Sequence, residues 1–262
     1  MVKSASRVID ILELLAEHPC GRTHGEIARG LSVPKSSLTA ILRTLIDRRY
    51  LEHDADTGRY ALGSALVTLS GIYLRRNDVS QVSQSVLASL MLATGESTAL
   101  TILAGREVIV IGKQTCDKAI LHSLQLGDRG PVHASASGKA MLAMQPRARV
   151  EALLGPGPLP AITARTITDP SVLLAELDAI AAGAIGYSRE EMVNGIVAMG
   201  LPVFDAAGHV AAGISVGIPL SRFGPTEEQA IACHLREAAA AISRRLGWNG
   251  AMPEPIPLRR PA

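Results

Sequence analysis

Aromatic residues are scarce: two Phe, four Tyr and one Trp among 262 residues. A core must then be built mostly from Ala, Leu, Ile and Val. The scarcity argues against a carbohydrate-binding or single-strand-stacking surface, because both need aromatic platforms. Cysteine is scarce too. Cys20, Cys116 and Cys233 are odd in number and widely spaced. They give neither a disulfide framework nor zinc-ligand spacing, and point to free thiols in a reducing cytoplasm. Strong net charge is missing: +2 excludes a massively basic, histone-like protein but leaves room for a local basic face. No uncharged apolar run reaches the ~18 residues of a membrane span. The N-terminus lacks a signal-peptide apolar stretch, with Arg7 and Asp10 interrupting it. The expectation is a cytoplasmic protein with no membrane partner. What is present is 47% hydrophobic and 19% charged, enough for one large core or two modest ones at about 150 residues per domain.

Along the chain, Ser6 to Glu17 reads as an amphipathic helix, with Val8, Ile11, Leu12 and Leu15 near a 3.6-residue period and Pro19 and Gly21 ending it. Thr23 or His24 opens a short second helix that Gly30 closes. Pro34 sits where a first helical residue is tolerated, ahead of a third helix to Ile46. Its stripe of Leu38, Ile41, Leu42 and Leu45 faces inward and leaves Lys35, Ser36, Ser37, Thr39, Ala40 and Arg43 outside. Residues 50–53 and 59–62 flank Asp54-Ala55-Asp56-Thr57-Gly58 as a hairpin. Three helices and then a hairpin is the order of a winged helix-turn-helix.

A connecting helix follows to about Arg76, and then helices and hairpin-spaced strands alternate. Helices are expected near 80–93, 135–144, 147–154, 170–182 and 226–246. Strands are expected at 97–104, 107–113, 197–204 and 209–217, with a further one at 119–124. The Pro-rich end reads as a mobile tail. The fold class is α+β with a mainly antiparallel sheet in the second part. The divisions are 1–62 (winged helix-turn-helix), 63–77 (linker helix), 78–248 (second domain) and 249–262 (tail).

Charge in the first 62 residues is uneven. Between 22 and 49, Arg22, Arg29, Lys35, Arg43, Arg48 and Arg49 stand against Glu26 and Asp47 alone. A basic stretch centred on the third helix is what a reader of the major groove needs. Ser36, Ser37 and Thr39 can meet phosphates or base edges, Lys35 and Arg43 supply charge, and the helix N-terminus offers free N–H groups. Thr57 and Arg59 of the hairpin stand to touch the adjacent backbone or minor groove, and Thr23 joins this DNA-facing set. The competing account is a protein-interaction module whose polar helix face is merely solvated.

Several segments together resemble the IclR family of bacterial transcription regulators. They are Arg7 to Leu15, Val33-Pro34-Lys35-Ser36-Ser37, Tyr50-Leu51-Glu52 and Asp56 to Gly63. In the second half they are Pro131 to Ala140, Arg165 to Asp169, Gly186-Tyr187-Ser188 with Glu190-Glu191, and Pro202-Val203-Phe204-Asp205. The resemblance implies a winged-helix domain, a linker helix used in dimerisation and a GAF-like effector domain. It implies a homodimer or homotetramer that binds double-stranded operator DNA, as a repressor of a catabolic operon, under control of a small organic acid or aromatic. There are departures. Ala40 stands where the family usually has Arg. The stretch after Tyr187 is shortened, and Gly195-Ile196-Val197-Ala198 replaces a more polar segment. A larger or more apolar ligand is one reading of this, and loss of ligand response is another.

By position, the resemblance puts Ala136, Ser137, Ala198, Ser215 and Gly217 at the effector. Amides near Gly138 suit a carboxylate. The bland reading is that Ser135 and Ser137 cap a helix and Ser215 is a satisfied strand serine. Enzyme readings fail on residues. Before Gly138-Lys139-Ala140, His133 stands where a phosphate loop needs Gly, and Ala140 stands where it needs Ser or Thr. Cys233 and His234 are helix neighbours and point apart, and His122 and His133 are more simply core or loop histidines. No catalytic residue, cofactor or metal is expected. The alternative from another class is an enzyme or interaction module carrying the first 62 residues as an adaptor.

Overall fold

The computed structural model describes residues 3–76, 78–116 and 124–250, without the side chains of Lys35 and residues 74–76. It divides into two compact units, Met1–Arg76 and Asn77–Ala262. Among the described residues, no helix is long and apolar enough to cross a membrane.

The first unit is built on α1 (Lys3–Ala16), α2 (His24–Gly30) and α3 (Lys35–Asp47). Thr23 caps α2 reciprocally: its hydroxyl accepts from the Glu26 amide, and the Glu26 carboxylate accepts from the Thr23 amide. That bond and the Thr23 hydroxyl's own donation to Glu26 hold the Glu26 carboxyl below its ordinary range. Helix α3 starts one residue later than the sequence suggests, because Pro34 takes the capping position. Ile11, Leu15, Ile27, Leu38, Leu42, Leu45 and Leu51 close one buried cluster. The wing is β2 (Leu51–Asp54) against β3 (Arg59–Leu62), extended by the two-residue β1 (Arg22–Thr23), which is too short to register as a sequence pattern. Helix α4 (Ala65–Arg76) follows.

The second unit centres on a six-stranded antiparallel sheet in the order β6-β5-β4-β9-β8-β7. The strands are β4 (Ser97–Ala104), β5 (Glu107–Gln114), β6 (Arg129–Pro131), β7 (Gly186–Arg189), β8 (Ile196–Phe204) and β9 (Val210–Pro219). The expected strand at 119–124 falls almost wholly on residues outside the description. Both edge strands, β6 and β7, were missing from the sequence reading; at three and four residues they carry little periodicity.

Along β9 the order Gly213-Ile214-Ser215-Val216-Gly217-Ile218 alternates small with large. Ile214, Val216 and Ile218 are buried. Their face packs on α5 (Asp78–Thr94) and α9 (Pro225–Arg245), where the Thr98 hydroxyl donates to the Leu87 carbonyl and the Phe204 amide donates to Ser243. The small face receives α6 (Ala136–Ala143), backed by α7 (Arg147–Leu154) and α8 (Pro170–Ala181).

Helix α6 lies close on three glycines. A Cβ on Gly200 would stand 2.6 Å from the Ala136 carbonyl carbon and the Ser137 nitrogen. One on Gly186 would stand 2.6 Å from the Ala136 oxygen, and one on Gly213 would stand 2.8 Å from the Ser137 oxygen. Gly200 pairs with Gly186 on one side and Ser215 on the other. These obstacles are backbone atoms that cannot rotate aside. Gly200→Ala is therefore expected to destabilise this unit by about 1–3 kcal/mol through overpacking. Gly217→Ala, with nothing within 4 Å of the added carbon, should stay within about 0.5 kcal/mol. Denaturant unfolding of the two variants checks the contrast.

Candidate functional site

Two regions gather the residues that carry chemistry, one in each unit. In the first unit, Leu38, Leu42 and Leu45 of α3 are buried, and Ser36, Thr39, Ala40 and Arg43 are exposed on the opposite face. Lys35 opens the helix, although its side chain lies outside the described residues. The N-cap makes no side-chain hydrogen bond, which leaves the first-turn amides available to an anion. Among the described residues, Arg43 and Ser36 make no side-chain hydrogen bond or ion pair. Two other polar side chains on α3 are held from neighbouring helices. Arg7 of α1 donates to the Ser37 hydroxyl at 3.0 Å, and His24 Nε2 lies 3.0 Å from Thr39 Oγ1.

The remaining predicted DNA-facing residues already have hydrogen-bond partners within the unit. Thr23 is committed to its capping box. Thr57 donates through its hydroxyl to Asp54 Oδ2 at 2.7 Å, and this bond is the largest cause of the lowered Asp54 pKa. Arg59 donates to the Gly21 carbonyl at 2.9 Å and lies 3.7 Å from Glu26. Arg7 and His24 were not singled out in the sequence, because each acts on α3 only across the folded unit.

In the second unit a cavity of about 370 Å³ lies between the small face of the sheet and the first turn of α6. Its floor follows the strand register. One row is Ser188, Ala198, Gly217 and Ser97, and the next includes Ser215 and Ala99. All five predicted effector residues, Ala136, Ser137, Ala198, Ser215 and Gly217, line it. Overhead, Thr101 donates to the Ser137 hydroxyl at 2.8 Å, and Ser137 lies 3.2 Å from Ser135, which caps α6. Among the described residues the hydroxyls of Ser188 and Ser215 have no hydrogen-bond partner, although Ser188 is only 3% exposed. Ser215 is thus not the satisfied strand serine of the bland reading. At the rim, Arg222 makes a bidentate pair with the buried Glu96 at 2.6 and 2.7 Å. Ser188 and Glu96 were missed because the first sits on an unseen edge strand and the second finds its partner 126 residues away.

Lys139 is fully buried in α6. It meets Glu191 at 2.7 Å and Glu176 at 2.9 Å, an arrangement that excludes a phosphate-loop role. Glu191 lies in the β7–β8 loop, whose Met192 and Val193 line the cavity. The Thr166 hydroxyl fixes the Glu191 carbonyl at 2.8 Å. Burial pushes the Glu191 carboxyl up from its ordinary 4.5, against the downward pull of Lys139.

His133 Nε2 lies 3.0 Å from the Pro160 carbonyl, and burial lowers its pKa; His122 falls outside the described residues. Cys233 is exposed, with its thiol 3.8 Å from Glu237. Among the described residues no cluster of His, Cys, Asp and Glu is placed to hold a metal.

Comparisons with known proteins cover both units. The model of the IclR helix-turn-helix domain matches residues 4–55, and that of the bacterial transcriptional regulator IclR C-terminal domain matches residues 71–244. The chain is 32% identical over 242 residues to the transcriptional regulator BhcR of Paracoccus denitrificans, covering 92% of this chain and 86% of that one. It is 32% identical over 247 residues to the transcriptional repressor AllR of Klebsiella pneumoniae, covering 94% and 90%. Among solved structures, IclR of Thermotoga maritima superposes with a TM-score of 0.78 at 28% identity, over 95% of this chain and all of that one. An IclR homolog from Microbacterium hydrocarbonoxydans, complexed with 4-hydroxybenzoate, gives 0.82 at 26% identity over 93% and 98%.

Removing Lys139 leaves two carboxylates facing each other, one of them buried. Lys139→Met should cost about 3–5 kcal/mol at pH 7. A carboxyl whose folded pKa lies above its unfolded value is stabilising below the unfolded value and loses that contribution as pH rises. The deficit of the variant should therefore shrink as pH is lowered from 7 toward 4.5. Parallel urea titrations of both proteins across that range measure it.

Proposed function

The chain belongs to the IclR family of bacterial transcriptional regulators, and on that premise we propose that it is a cytoplasmic repressor of a catabolic operon. Members of this family regulate transcription rather than catalyse a reaction, and bind operator DNA and a small effector. Two copies present their α3 helices to successive major grooves of a pseudo-palindromic operator, because one reading head contacts too few bases to discriminate a genome. Lys35, Ser36, Ser37, Thr39 and Arg43 meet the DNA first. Thr57 and Arg59 join from the wing and Thr23 from the start of α2. The exposed apolar residues of α4, Val67, Leu69, Ile72 and Tyr73, suit burial against a second copy, in a dimer or a dimer of dimers.

The observation that carries the effector reading is the cavity: about 370 Å³, floored by small residues, with two unpartnered serine hydroxyls. Pockets of this build hold compact ligands with few polar groups. The Arg222 charge is already met by Glu96, so the polar end of the ligand goes to Ser188, Ser215 and the first turn of α6. An aromatic or organic acid suits that arrangement, and 4-hydroxybenzoate, found in the Microbacterium homolog, is a reasonable first probe.

The test is binding of the full chain to the intergenic DNA beside its own gene, across a salt series, with and without a panel of aromatic and small organic acids. Arg43→Ala should weaken specific binding by about 1–3 kcal/mol and reduce the salt slope by about one. Ala198→Phe should fill the cavity and abolish ligand-induced stabilisation, which is about 2.7 kcal/mol at a hundredfold excess over Kd, while operator binding without ligand persists. A wild-type chain that retains no specific DNA under any of these conditions overturns the reading.

A further inference from the structure

The edge strands β6 and β7 stand at opposite ends of the strand order. The sheet curls far enough for the loop after β7 to reach back to β6 across the cavity. A carbon added to Gly130 of β6 would stand 2.6 Å from the Met192 methyl and 3.7 Å from its sulfur. Gly130 is buried, Met192 is half-buried, and both line the cavity. The obstacle at Gly130 is the far end of a flexible side chain, unlike the backbone that faces Gly200. The backbone on either side of Met192 is held. Glu191 is fixed by Lys139 at 2.7 Å and, through its carbonyl, by the Thr166 hydroxyl at 2.8 Å. The Thr163 hydroxyl donates to the Glu190 carbonyl at 2.7 Å. Further along, the Gly195 amide donates to the Glu190 carboxylate at 2.9 Å, and the Leu220 amide donates to the Gly195 carbonyl at 2.7 Å. Between these ties stands an unbranched thioether that turns freely about its own bonds. The loop is the fixed post and the Met192 side chain is the moving part. Its rotation uncovers that side of the cavity on the timescale of side-chain motion, with no unfolding of the loop.

Resting on the effector reading above, we propose that Met192 is a specificity-determining residue: seated on Gly130, its side chain limits the length of ligand that the cavity accepts and slows the ligand's escape. The ligand it fits carries its polar end to Ser188 and Ser215 and presents an aromatic or alkyl end to the thioether, which packs well against ring edges. Val108 and Val110 of β5 and Ile196 of β8 line the same cavity with apolar surface. Gly130 makes the seat, because a side chain there would take the place of the Met192 methyl. A compact aromatic acid is held behind the closed wall, and one with a long para substituent collides with it.

The experiment compares full-length wild type, Met192→Ala, Met192→Leu, Gly130→Ala and the double variant Met192→Ala/Gly130→Ala. The probes are 4-hydroxybenzoate and benzoates carrying para-methoxy, para-propoxy and para-pentyloxy groups. Calorimetry gives affinities, stopped-flow displacement gives dissociation rates, and unfolding midpoints are recorded alongside. In Met192→Ala the affinity for the pentyloxy acid relative to the methoxy acid should rise about tenfold, the scale on which a pocket tells methylene groups apart. The methoxy acid should leave that variant about tenfold faster. Met192→Leu, which fills much the same volume, should keep most of the wild-type length limit. Gly130→Ala should quicken dissociation in the wild-type background, by displacing the methyl from its seat, and change nothing in the Met192→Ala background. An equal length profile in wild type and Met192→Ala, or equal quickening by Gly130→Ala in both backgrounds, overturns the proposal. Binding of the longer acids by Met192→Ala alone supports it. Binding of no benzoate by any of these proteins overturns the aromatic-acid reading of the cavity and this proposal with it, a result distinguishable from the others because they require a bound ligand.

Discussion

The second unit depends on how closely the first turn of α6 can lie on the sheet. Gly186, Gly200 and Gly213 remove side chains from three neighbouring strands at the places where the backbone of Ala136 and Ser137 comes down. Every residue from Ala136 to Leu142 is buried, so the helix has no solvated face and its one charge must be answered internally. Lys139 is answered by Glu176 of α8 and Glu191 of the β7–β8 loop. The seat of the helix thus fixes the lysine, the lysine fixes the loop, and the loop supplies Met192 and Val193 to the cavity wall. A buried ion pair contributes little net stability because desolvation offsets its attraction. Its effect here is geometric: it ties a wall of the cavity to the helix that forms its roof.

The first unit solves a different problem with similar means. Its reading helix has short polar side chains, and short side chains lose little entropy on binding. Arg7 and His24 order two of them from outside the helix, and the wing threonine is locked by Asp54. The groups that would meet DNA are therefore mostly arranged in advance. Arg43 and Ser36 are the exceptions, with no partner among the described residues. Arg59 is partly neutralised by Glu26, so against a phosphate backbone it would release fewer counterions than its formal charge suggests.

Much of this was legible in the sequence. The long helices announced themselves through 3.6-residue stripes, α3 in particular through Leu38, Leu42 and Leu45. The wing showed in its Asp- and Gly-rich turn, and β8 and β9 showed in alternation around Asp205–Gly208. The five effector candidates came from family likeness and positions along the chain, and the register of β4, β8 and β9 accounts for their convergence with the first turn of α6. Illegible were the elements shorter than one repeat of any pattern, β1, β6 and β7, and with β7 the inward-facing Ser188. Also illegible were partnerships between distant residues, Arg222 with Glu96 and Lys139 with Glu191, because charge complementarity alone does not say which of many acids and bases will meet. Nor did residue type show the local partners of Thr23 and Arg59, which are Glu26 for the first and the Gly21 carbonyl with Glu26 for the second.

The alternation of small and large residues on β9 separates two demands that usually compete. Ile214, Val216 and Ile218 answer to α5 and α9, whereas Ser215 and Gly217 answer to the cavity alone. Ala198 on β8 stands in the same position relative to its buried neighbours Val197 and Met199. Substitutions at 198, 215 and 217 therefore reshape the cavity without disturbing the packed side of the sheet. The shape of the cavity can thus change by single steps, each of which leaves the sheet and its two long helices folded.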